Sequence, residues 1–202
     1  MKSQVFNTDC LEAMKNYPDK YFELAIVDPP YGISINMNMG RKKNKRKKHV
    51  DKKWDDEIPS KEYFNELRRV SQNQIIWGGN YFELGPTLHF IFWDKQFPAG
   101  LSFSDGEFAW TSFDRANKAY RLRISEEHRI HPTQKPVALY RWLLKNYAKE
   151  GDKILDTHLG SGSSRIAADM EGYDFTGYEL DTDYFNASVK RFNEYKLQTK
   201  LL

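Results

Sequence analysis

The chain of 202 residues has a single cysteine, Cys10, which excludes an internal disulfide and any cysteine-based metal cluster. Its five histidines, His49, His89, His128, His131 and His158, show no metal-ligand spacing, so no metal is expected. No apolar run approaches a membrane span and no cleavable leader is evident, so the expectations are a cytoplasmic location and no membrane partner. Internal repeats are absent too. What is present is 40% hydrophobic sequence, enough to bury one α/β core, and a single domain over 1–202 is the natural division.

The most informative segment is Asp28-Pro29-Pro30-Tyr31, directly after the apolar run Leu24-Ala25-Ile26-Val27. Prolines fix φ and lack an N–H, so carbonyls of Asp28 and Pro29 can be held outward as acceptors beside the Asp28 carboxylate. An exocyclic amine on a flat base has two protons to donate to such a pair, and an exposed Tyr31 can stack on the ring that carries it. Alone, the tetrapeptide also reads as a proline turn that ends a strand.

A second segment supplies context. Lys153-Ile154-Leu155-Asp156 reads as a buried strand, followed by the turn Thr157 to Ser164 with glycines at 160 and 162, then a helix. Those glycines allow close backbone approach to a ligand, while Ser163 and Ser164 are expected to cap the helix. A dinucleotide site wants a third glycine where this chain has Arg165, so a nucleoside ligand without a pyrophosphate fits better. The next apolar strand, Tyr173 to Tyr178, ends in Glu179, nineteen residues beyond Gly160, where this class of fold grips a ribose.

These residues resemble the amino-group DNA methyltransferases that use S-adenosylmethionine. His131-Pro132-Thr133-Gln134-Lys135-Pro136 is similar to the motif that precedes the cofactor loop in that family, and Asn7-Thr8-Asp9-Cys10 to its N-terminal strand end. The order, catalytic motif first and cofactor loop last, is that of the permuted β group, in a small phage-type or orphan form or one paired with a restriction enzyme. Leu159 departs from a loop that often carries an aromatic. The resemblance implies a Rossmann-like methyltransferase fold: a mostly parallel seven-stranded sheet with an antiparallel hairpin and helices on both faces. It implies methyl transfer to N6 of adenine in DNA, with Asp28, Pro29, Pro30 and Tyr31 catalytic. For the cofactor it implies Asp9 and Cys10 at the adenine, Glu179 on the ribose hydroxyls, and Leu180 in contact beside Glu179. Asp156, Leu159, Gly160, Ser161, Gly162 and Ser163 would hold the methionine part, Thr133 with Lys135 its carboxylate side, and Asp28 would also border the cofactor. A homodimer is compatible with it. Cytosine C5 chemistry, which needs a cysteine in the base pocket, does not fit a Cys10 on the cofactor side. N4-cytosine methylation stays open, although that group more often has Ser in place of Asp28. Methylation of RNA or of a protein amide stays open as well, as does an inactive DNA-binding fold.

Net charge is only +3, yet nine of the 31 basic residues fall between Arg41 and Lys53 with Asp51 the one acid, leaving 22 basic against 27 acidic residues elsewhere. A mobile basic loop over 40–53 is expected, with Arg41, Lys42, Lys43, Lys45, Arg46, Lys47 and Lys48 gripping DNA phosphates without reading sequence. A solvated tail or a targeting signal has the same composition. Asn80, in Trp77-Gly78-Gly79-Asn80, is a further DNA-contact candidate. Residues 95–130 are the only room for a target-recognition region, so a short or relaxed preference is expected.

Strands are expected near 4–6, 23–27, 74–77, 88–93, 107–110, 153–155 and 174–178, and helices near 11–16, 60–70, 137–147, 164–171 and 184–195. Such alternation implies a parallel sheet with ligands at the strand carboxyl ends.

Overall fold

The computed structural model describes residues 2–33, 57–97, 104–123, 130, 131 and 133–199. Among them, eight strands build one sheet: β1 (Ser3–Phe6), β2 (Phe22–Val27), β3 (Ser71–Trp77), β4 (Phe90–Asp94), β5 (Gly106–Thr111), β6 (Lys118–Arg121), β7 (Lys153–Asp156) and β8 (Asp174–Tyr178). Their order is β1-β8-β7-β2-β3-β5-β4-β6. Only β5 runs antiparallel, to β3 and β4. The helices are α1 (Cys10–Met14), α2 (Lys61–Val70), α3 (Val137–Tyr147), α4 (Ser163–Glu171) and α5 (Thr182–Thr199).

The sheet is an α/β sheet because its central strands are apolar on both sides. In β2, Leu24 and Ile26 join Ile75, Trp77, Ile154 and the α3 and α4 residues Leu139, Leu143 and Ala167 in one buried cluster. Ala25 and Val27 point the other way, to Ile76, Leu155 and the α2 residues Phe64, Leu67 and Val70. The two-residue side-chain period thus places helices on both faces. Ser60 starts α2 by accepting the Tyr63 N–H at 3.2 Å, and the buried row Phe64, Leu67, Val70 faces the sheet.

Two expectations are corrected. The sheet has eight strands, not seven: β6 pairs parallel to β4, with Tyr120 stacked on Trp142 of α3 at a centroid separation of 4.9 Å. The serines after the glycine turn do not cap α4. Gly162 is its N-cap, at φ 71°, and no side chain bonds the end. The Ser164 hydroxyl instead donates to the buried Asp156 carboxylate, where an unmet acceptor would be destabilising.

β7 and β2 are neighbours at the centre, in the register Ala25 to Leu155. The segment that follows β2 and the glycine turn that follows β7 therefore leave side by side at the carboxyl end of the parallel strands.

Candidate active site

Asp28 follows β2 and makes an ion pair with the Lys135 Nζ through Oδ2 at 2.5 Å, while its Oδ1 accepts the Tyr31 hydroxyl at 2.7 Å. Lys135, just ahead of α3, is buried, and its ammonium also reaches Glu107 Oε2 on β5 at 3.0 Å. Glu107 Oε1 in turn holds Lys95, after β4, at 2.6 Å. Two carboxylates and two ammonium groups thus balance in one chain of contacts. Trp77 and Tyr31 wall the Lys135 ammonium, at 5.3 and 5.9 Å from their ring centres. Burial pushes the Asp28 carboxyl above the usual carboxylate range, with Lys135 pulling against it. Burial acts the same way on Glu107, but Lys135 and Lys95 together outweigh it and hold that carboxyl at about 2. Burial works against the Lys135 charge, and the two carboxylates outweigh that as well.

Tyr31 is half-buried rather than exposed. Its ring stacks on Tyr81 at 4.9 Å and 13°, and meets Phe82 edge-on. Tyr81, on the 3-10 turn Gly79–Tyr81, is 43% exposed. Gly78 and Gly79 make room for the protein's own aromatics: a Cβ on Gly78 would lie 2.2 Å from the Tyr31 ring, and one on Gly79 would lie 2.4 Å from Trp110. Asn80, beside them, is exposed.

On the neighbouring side, Asp156 ends β7 fully enclosed. It accepts the His158 N–H and the Ser164 hydroxyl, and burial lifts its carboxyl to about 7. Glu179, after β8, accepts the Gly160 N–H at 2.8 Å and the Asp181 N–H at 2.9 Å, with burial raising its pKa. Exposed apolar side chains flank it, Leu180 at 70% and Phe6 at 40%. Their strand ends are tied by the Glu179 N–H on the Phe6 carbonyl and the Asn7 amide on the Leu180 carbonyl. Asp9 caps α1 by accepting the Leu11 and Glu12 N–H groups. The Cys10 thiol is pushed up to about 12, by burial first and Asp9 second, which disfavours its thiolate. Thr133 Oγ1 lies 3.1 Å from His131 Nδ1, and the Gly160 turn packs against that imidazole.

Of the expected cofactor residues, Asp156, Gly160 and Glu179 come together, with Leu180 exposed beside Glu179. Others turn inward. Leu159 is core, and the Ser161 and Ser163 hydroxyls bond each other at 3.0 Å, with Arg191 of α5 donating to the Ser163 hydroxyl. Arg41, Lys42, Lys43, Lys45, Arg46, Lys47 and Lys48 lie outside the described residues. Gly32 and Ile58, on either side of the interval that contains them, approach closely: a Cβ on Gly32 would lie 2.8 Å from the Ile58 side chain. The sequence did not single out Glu107, Lys95 or Tyr81. The one available signal was an acid inside the aromatic strand Gly106–Thr111.

A family model described as DNA methylase, for the N6 and N4 enzymes, matches residues 77–190. The type II methyltransferase M.HinfI of Haemophilus influenzae is 23% identical over 246 residues, covering 95% of this chain and 68% of its own length. M2.MboI of Moraxella bovis, also a type II methyltransferase, is 24% identical over 242 residues, covering 94% and 87%. Among solved structures, the M1.HpyAVI complex with SAM superposes with a TM-score of 0.62 at 22% identity over 93% of this chain and 98% of that one. The cytosine-N4-specific PvuII DNA methyltransferase gives 0.64 at 15% identity over 95% and 86%.

Proposed function

This chain belongs to the N6/N4 DNA methylase family, and from that premise we propose that it methylates N6 of adenine in DNA with S-adenosylmethionine as donor. The observation that carries the proposal is the Asp28 carboxylate. It stands at the end of the central strand β2, beside the turn after β7, with both oxygens oriented by Lys135 and Tyr31.

The residues present fit the cofactor. Glu179 is an anionic acceptor suited to ribose hydroxyls, and exposed Leu180 and Phe6 beside it suit a flat adenine. Gly160 offers backbone rather than side chain at the turn, against the His131 imidazole that Thr133 contacts. When bound, the cofactor supplies an electrophilic sulfonium methyl.

Asp28 accepts one proton of the target amine in a hydrogen bond and the Pro29 carbonyl accepts the other, which turns the nitrogen lone pair out of the ring plane. The chain supplies positioning and electrostatics, with no covalent intermediate on the protein. The base is taken out of the duplex, or from a single strand, and stacks on Tyr31. Tyr81 already lies parallel to that ring and must yield its place or form a second wall for the base. Asp rather than Ser at position 28 supports adenine over cytosine. The basic residues from Arg41 to Lys48 are assigned to DNA phosphates.

Tritiated-cofactor assays on duplexes with and without adenine test this reading. Wild type should label only adenine-containing DNA. Asp28→Ala should keep cofactor affinity and lose methyl transfer by roughly 100-fold or more. Label on adenine-free DNA would move the assignment to cytosine N4, and wild-type turnover in Asp28→Ala would displace the site.

A further inference from the structure

We infer that Lys135 is a positioning residue for the catalytic carboxylate: with Glu107 and Lys95 it forms a balanced charge relay that keeps Asp28 ionised and turned toward the target amine. The inference rests on the proposed role of Asp28 as amine acceptor. The family resemblance assigns Lys135 to the cofactor carboxylate. In the structure its ammonium is already committed to two protein carboxylates, at 2.5 and 3.0 Å, under a Trp77 and Tyr31 roof.

A fully buried lysine between two acids is costly to desolvate, so both partners must offset that penalty through short, well-aimed contacts. The two acids are not equivalent. Glu107 has a second cation, Lys95, at 2.6 Å, whereas Asp28 depends on Lys135 and on the neutral Tyr31 hydroxyl. Among the described residues, Tyr63 of α2, Tyr140 of α3 and Asp156 of β7 also act on Asp28, and none of these is a cation. Without Lys135, two carboxylates share one enclosed space, and like charges so placed cannot both stay ionised. Glu107 keeps its charge through Lys95, so the proton goes to Asp28. A protonated Asp28 carries an O–H where the amine needs an acceptor.

The same geometry gives Glu107 a defined job. Its negative charge seats the Lys135 ammonium, and its Oε2 lies 3.4 Å from the Tyr31 hydroxyl, so that hydroxyl has an acid on either side. Tyr31 is thereby fixed between Asp28 and Glu107, with its ring stacked on Tyr81.

Three variants test the relay. Lys135→Met should lower methyl transfer by about tenfold or more at pH 7, with activity returning as pH is raised. Glu107→Gln should leave Asp28 ionised to lower pH, moving the acid limb of the rate profile down. The double variant Glu107→Gln with Lys135→Met should regain part of the activity lost in Lys135→Met, because the repelling charge is gone. A purely structural lysine would show neither pH recovery nor rescue. The ionisation of Asp28 is followed independently by carbon-13 NMR of labelled aspartate in the substrate-free protein, with Asp28→Ala assigning the signal. A carboxyl titration that moves up in Lys135→Met and down in Glu107→Gln supports the relay whatever the transfer assay shows. Titrations unchanged in either folded variant overturn it, as does calorimetry in which Lys135→Met loses S-adenosylmethionine affinity while Asp28 titrates as before. Asp28→Ala tests the acceptor role separately, so a working relay on an inactive acceptor is recognisable.

Discussion

Gly78→Ala is a sharp test of how the proposed base platform, Tyr31, is seated. Gly78 sits at φ 68° in the left-handed region, and a Cβ there would lie 2.2, 2.5 and 2.6 Å from three carbons of the Tyr31 ring. Left-handed strain for a residue with a Cβ costs about 1–2 kcal/mol. Displacing a packed ring adds about 1–3 kcal/mol. The sum corresponds to a melting temperature lower by roughly 5–15 °C for a domain of this size. Gly172→Ala is the matched control, since φ is 83° there but no atom lies within 4 Å of the new Cβ. It should show the strain alone, about 1–2 kcal/mol, with methyl transfer unchanged. In Gly78→Ala the ring must leave its seat and break the 2.7 Å bond from its hydroxyl to Asp28. A hydrogen bond to a charged group is worth about 1.5–3 kcal/mol, so transfer should fall roughly 10- to 100-fold with cofactor affinity retained. Calorimetric melting, cofactor titration and the tritium assay read the three quantities. If Gly78→Ala melts like Gly172→Ala and transfers methyl at the wild-type rate, Tyr31 is not anchored by its seat against Gly78.

Glu179→Ala leaves the Gly160 and Asp181 N–H groups without their acceptor and removes the proposed ribose contact, so calorimetry should show S-adenosylmethionine affinity reduced about 10- to 100-fold. Asp156, lifted from 3.8 to about 7, binds a proton more readily folded than unfolded, so its stabilising contribution is full below about pH 4 and is lost toward pH 7. Thermal melts of Asp156→Asn and wild type should therefore diverge in favour of the variant as pH rises across that window; a constant offset would refute the assignment. Neutralising Arg41, Lys42, Lys43, Lys45, Arg46, Lys47 and Lys48 should flatten the salt dependence of DNA binding by ~0.9 for each phosphate no longer engaged, with sequence preference kept. An unchanged slope in filter-binding assays would remove that segment from the interface.

Much of the fold was legible because burial writes itself into composition. Phe22–Val27 is apolar on both faces, and Ser60 ahead of α2 is an N-cap by its chemistry. Lys118–Arg121 was not legible as a strand, since a short, mostly exposed edge carries no apolar alternation. The serines after Gly162 misled because a buried carboxylate eight residues before Ser164 competes with the helix end for its hydroxyl and wins. At the site, Asp28, Gly160 and Glu179 were visible through spacing along the chain. The partnership of Lys135 with Asp28 and Glu107 was not, because three segments distant in sequence meet only when β5 is inserted antiparallel beside β3.

The pairing of Ala25 with Leu155 gives the central strands a further meaning. The backbones that lead to the proposed amine acceptor and to the proposed cofactor turn lie one strand spacing apart, about 4.8 Å, set by backbone hydrogen bonds rather than by side chains. The sheet works as a ruler. Crossover helices and surface loops can drift, lengthen or be exchanged without altering that span. One extra residue between Ala25 and Asp28, by contrast, would turn the carboxylate to the opposite face and leave a folded protein with nothing to hold the amine.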